Sequence, residues 1–169
     1  MTFQIGEKVV YPNHGVGTIE NISTRVYGPR PERFYLLRLT VNNMTVMVPC
    51  NHADEVGLRK VTKTSEVAKT LCFLAGGKCR SSRDWKDRFK ENSERMQHGS
   101  MLEVAEVLKG LLIQQGMKPL SFREKKMLDR ARQMMITEVC MARMMRESEA
   151  VQLLDQALIR SGLRFPEAM

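Results

Sequence analysis

The residues of this chain best equipped for chemistry are cations gathered around one aromatic ring. Trp85, the single tryptophan, stands in Ser81-Ser82-Arg83-Asp84-Trp85-Lys86-Asp87-Arg88-Phe89-Lys90, with charge on nearly every side. Two readings follow. Phe89, four residues on, shares its helical face, so both rings could anchor a helix to a bundle. Alternatively Trp85 is an exposed wedge: an apolar ring among Lys and Arg enters a minor groove or stacks on an unpaired base while the cations hold phosphates.

The surrounding charge suits a polyanion. The formal charge is +8, and most of the excess lies in residues 62–169. Residues 78–90 hold Lys78, Arg80, Arg83, Lys86, Arg88 and Lys90 against Asp84 and Asp87. Residues 118–132 hold Lys118, Arg123, Lys125, Lys126, Arg130 and Arg132 against Glu124 and Asp129. One such run is ordinarily a solvated helix face; two in a small basic half form a nucleic-acid footprint.

Catalytic and metal chemistry find no comparable foothold. His14, His52 and His98 fall in different segments, and the chain has no G-x-S-x-G elbow, phosphate loop or dinucleotide glycine pattern, so it does not read as an enzyme. Cys50 and His52 are the nearest approach to a ligand pair. They lack a second pair, so neither a metal nor another cofactor is expected. Cys50, Cys72, Cys79 and Cys140 contain no C-x-x-C and read as reduced thiols. No apolar run reaches the roughly 18 to 20 residues of a membrane span, and the N-terminus lacks a signal-peptide profile; a cytoplasmic, monomeric protein with no membrane partner is expected.

The elements that must position these residues change character along the chain. Lys8–Tyr11, Val16–Arg25, Phe34–Val41 and Met44–Val48 are short, rich in β-branched and aromatic residues, and separated by Pro12-Asn13-His14-Gly15, Gly28-Pro29 and Asn42-Asn43. This spacing predicts a small, strongly bent antiparallel sheet, with a two-residue hairpin at Asn42-Asn43 and corners at Gly6, Gly15 and Gly17. Residues 56–64 read as a joint.

From about Ser65 the period becomes 3.6, which predicts helices over about 65–75, 83–98, 101–115, 122–147 and 149–161. Leu128, Ala131, Met135, Val139, Ala142 and Met145 form one apolar stripe, and the nearby methionines read as core filling. Ser100-x-x-Glu103 and Ser121-x-x-Glu124 are capping boxes.

These motifs together resemble the CarD family of bacterial transcription regulators. The likeness is carried by VVYPNHGVG (9–17), MTVMVP (44–49) with VGLR (56–59), Trp85 through Lys90, AEVLKGL (105–111) and LSFREKKMLDRARQ (120–133). The resemblance implies an α+β protein. Residues 1–62 would form a small Tudor-like, SH3-like antiparallel β barrel that binds the β-subunit lobe of RNA polymerase, a domain shared with the transcription-repair coupling factor. Residues 63–169 would form an all-α helical domain that contacts promoter DNA at the upstream edge of the transcription bubble.

The resemblance further implies that Arg25, Leu37, Met47 and Pro49 face the polymerase. Trp85 would wedge at the fork, with Arg88, Lys90 and Lys125 along the nearby backbone, stabilising the open complex; the adjoining Lys86 and Lys126 are further candidate DNA contacts. Localisation would be cytoplasmic, at the nucleoid through RNA polymerase. Two departures qualify the pattern. Met47 stands where some members carry arginine, so docking here should be more apolar and less salt-sensitive. Asp87 replaces a residue often basic in the family and weakens the local positive field.

Composition also suits a protein–protein adaptor whose basic helical half binds an acidic protein, with Trp85 as an interface anchor. Salt dependence of DNA binding and its response to Trp85→Ala separate the two. A sequence-specific repressor is a weaker reading still, because no helix-turn-helix pattern is visible.

Overall fold

Among the described residues the first third of the chain forms five strands, the first four from runs in which apolar and polar residues alternate: β1 (Lys8–Tyr11), β2 (Gly15–Tyr27), β3 (Arg30–Leu39), β4 (Thr45–Pro49) and β5 (Arg59–Lys60). They pair antiparallel in the order β4-β3-β2-β1-β5, so β4 and β5 are the sheet edges. The computed structural model describes residues 2–12, 14–40, 42–77 and 85–167, apart from the side chains of Tyr27, Trp85, Lys86 and His98. Asn13 of the first expected turn, Val41 at the end of an expected strand, and residues 78–84, which carry Lys78, Arg80, Arg83 and the start expected for the second helix, lie outside the described residues.

A bulge between Ile19 and Asn21 shifts the register of β2 against β3. The extra residue lets Ile19 and Ile22 both face inward while Asn21 and Ser23 turn outward. The inner face packs Phe3, Val9, Ile19, Tyr35, Leu37, Leu39 and Val48 into one core, with the Tyr35 hydroxyl accepting the Phe3 N–H at 3.1 Å. Gly17 is required there, since a Cβ would meet the Arg38 carbonyl oxygen and the Leu37 side chain at 2.8 Å. Asn43 takes the expected positive φ, 55°. The connection is nevertheless longer than a two-residue hairpin, because Leu39 N–H bonds Met44 O across it at 2.9 Å.

The described helices are α1 (Thr64–Gly76), α2 (Trp85–His98), α3 (Met101–Met117), α4 (Phe122–Arg143) and α5 (Glu147–Ile159). Leu74, Met96, Leu108, Leu111, Met135 and Leu154 are fully buried among them. The expected 122–147 helix stops earlier. Met144 enters the left-handed region at φ 53°, and its N–H caps Cys140 O. Apolar spacing runs on through Met145, so the pattern gave no sign of this break; a left-handed cap is usually glycine. β5 also escaped the pattern, since two residues are too few to show alternation. By internal contacts the chain divides into Met1–Val61 and Thr62–Met169. Among the described residues no helix is long and apolar enough to cross a membrane.

Candidate nucleic-acid interface

Helix α4 begins at a completed capping box. Ser121 Oγ accepts the Glu124 N–H at 3.3 Å, and Glu124 Oε1 accepts the Ser121 N–H at 3.2 Å. Gln114 Nε2 on α3 donates to the other carboxylate oxygen at 2.7 Å. Burial pushes the Glu124 carboxyl upward, but the bonds from Gln114 and Ser121 and the nearby positive charge of Arg88 outweigh it and hold the group below its ordinary value.

The unfolded chain therefore binds this proton more readily, and the stabilisation exists above the ordinary carboxylate pKa and fades as pH falls through the lowered one. Glu124→Gln is expected to cost about 1 kcal/mol at neutral pH. The deficit should shrink in urea titrations at acid pH; a pH-independent deficit would refute the assignment.

This anchored helix start brings Arg123 of the second basic cluster against Phe89, which stands between Arg88 and Lys90 of the first. The Arg123 guanidinium lies over the Phe89 ring of α2 at 4.3 Å from its centroid, and Lys126 Nζ lies 4.6 Å over Phe122. Lys90, Lys125 and Lys126 are exposed. Arg88 is half-buried, with its Nε out of solvent and acting electrostatically on Glu124. Asp87 is exposed. Trp85 is the first residue of α2, one turn before Phe89; its side chain and that of Lys86 lie outside the described residues.

Helix α2 is held from behind. Met96 is buried, and Arg95 meets Glu106 on α3 at 3.8 Å. Lys109 on α3 is itself 3% exposed: its Nζ donates to Phe73 O at 2.9 Å and Gly77 O at 2.6 Å, closing the C-terminal end of α1. Where the apolar residues Ala105, Leu108 and Leu112 mark the buried side of α3, a lysine in the same register was the available sign of this role.

On the sheet, register decides which expected docking residues share a face. Arg25 pairs with Glu32, Phe34 with Pro49, and Leu36 with Met47, so Arg25, Met47 and Pro49 stand on the face opposite the core. Leu37 does not. It is completely buried against the inner core, and its side chain cannot meet a partner. The neighbouring Leu36, half-exposed and paired with Met47, occupies the outer position instead. Strands alternate sides at every residue, so an assignment one position off exchanges partner for core.

Cys50 is half-buried, and His52 Nδ1 lies 2.9 Å from Glu55 Oε2. Among the described residues no group of three His, Cys, Asp or Glu side chains could hold a metal ion. Sequence reading passed over Phe122, although an aromatic residue directly after the cap and followed by Arg123, Lys125 and Lys126 was visible there.

Two family models match the chain: the CarD-like/TRCF RID domain over residues 3–62 and the CarD C-terminal domain over residues 62–155. A similar protein is YdeB of Bacillus subtilis (strain 168), whose name marks it as a candidate transcription factor. It is 34% identical over 137 residues, which span 81% of this chain and 90% of YdeB. With both halves matched in order and a relative aligned across most of its length, the chain belongs to the CarD family.

Proposed function

We propose that this CarD-family transcription regulator docks on the β lobe of RNA polymerase through its sheet and uses the joined ends of α2 and α4 to stabilise the open promoter complex. The observation that carries the reading is the contact of Arg123 with Phe89, which places Arg123 at the segment holding Arg88 and the exposed Lys90, far away in sequence. Lys90, Lys125 and Lys126 suit phosphates, and nothing there resembles base-edge readout by a recognition helix, so discrimination rests on fork shape. The polymerase partner is inferred from the RID-domain match. Arg25, Met47 and Pro49, with Leu36, supply the outer face, and the free edge of β4 can accept a strand of the partner.

Docking would hold the helical unit beside the DNA, so a weak contact suffices once tethered. Binding melted promoter better than closed duplex shifts the equilibrium toward the open state by that difference in affinity.

A separation-of-function experiment tests this. Met47→Glu is expected to lose affinity for the β lobe while keeping its binding to fork DNA. Lys90→Glu combined with Lys125→Glu should do the reverse and flatten the salt dependence by about two counterions. If the charge reversals leave fork binding intact and instead abolish capture of an acidic protein, the helical unit is an adaptor.

A further inference from the structure

We propose that Phe122 is a second aromatic contact for DNA, stacking on an unpaired base of the melted strand while Lys125 and Lys126 hold the adjoining phosphates. The proposal rests on the reading of α2 and α4 as a DNA-contacting surface.

Three observations support it. First, among the described residues the ring packs into no apolar core. Helix α4 buries Met127, Leu128, Ala131 and Met135, and on its first turn the inward position belongs to Glu124, held by Gln114; Phe122 is off this stripe and 65% exposed. Second, the ring is held in place, at the first helical position after a completed capping box, with Lys126 over it at 4.6 Å. An exposure of 65% leaves the rest of the ring open to solvent. Third, its neighbours match a polyanion. Lys125 and Lys126 are exposed, Arg123 extends the positive surface to α2, and the acidic Glu124 is engaged inward by Gln114 and Ser121. Charge complementarity thus favours nucleic acid over an apolar protein groove, and a preset ring beside cations is how sequence-independent proteins take single strands.

The test uses the full chain and two probes at low salt: a duplex with a single-stranded oligothymidine extension, and the same length fully paired. Phe122→Ala should weaken binding to the extended probe roughly tenfold and leave the paired duplex unchanged. Phe122→Trp should keep wild-type affinity, whereas Phe122→Leu, apolar but without a π face, should behave like alanine. Because the ring is exposed, the thermal midpoint should hold in all three.

Equal affinity of Phe122→Ala and wild type for the extended probe would overturn the proposal. So would a leucine variant as good as phenylalanine, or a loss seen for the β lobe in place of DNA. The double charge reversal at Lys90 and Lys125 runs in the same titration. If it weakens binding and Phe122→Ala does not, only the Phe122 contact fails; if neither does, the DNA-contacting reading fails with it.

Discussion

Trp85→Ala is expected to shorten the lifetime of the open promoter complex roughly tenfold while leaving affinity for the β lobe unchanged. Trp85 opens α2 one turn ahead of Phe89, at the helix end joined to α4 by Arg123, and the residues proposed for docking belong to the other unit. A ring inserted at the fork contributes only when the strands are separated, so its loss acts on the open state and spares docking. A tryptophan serving as core would behave otherwise: its removal would cost about 3–5 kcal/mol of folding stability. One variant separates the two. Promoter-complex dissociation and thermal unfolding are measured side by side; a steeply lowered midpoint with a partly unfolded helical unit would defeat the wedge.

The second large effect concerns folding. Lys109→Met should destabilise the helical unit by about 2–4 kcal/mol, lowering its thermal midpoint by on the order of 10 °C. The methionine keeps the apolar stem of the lysine but loses the ammonium that bonds Phe73 O and Gly77 O from a nearly solvent-free position. Phe73 O retains the Gly77 N–H at 2.7 Å, so the chief loss falls on the Gly77 carbonyl and on the cation 5.0 Å over the Phe73 ring. An unchanged midpoint would mean that these bonds merely offset the desolvation of the charge.

Local rules made much of this protein legible. Alternation along residues 8–48 and a 3.6-residue period from about 65 onward separate sheet from helices, because side-chain direction follows backbone geometry residue by residue. The box at Ser121 and Glu124 could be read from four residues because every bond in it but that of Gln114 is local. The same holds for the positive φ of Asn43. Where locality failed, so did the reading. Nothing within α4 marks Met144 as a left-handed cap, and the resemblance that gave Leu37 to the partner did not carry its register, which puts the side chain in the inner core.

The order of elements, their periodic faces and two basic clusters, one of them around the single tryptophan, follow from the sequence alone. Packing in three dimensions settled what no local pattern could. Arg123 reaches Phe89 across a separation of more than thirty residues, Lys109 closes the end of α1 from α3, and Phe122 is left outside while Leu37 is taken in. Such outcomes depend on how helices and strands pack against one another, and packing is a property of all the contacts together, which no window along the chain contains.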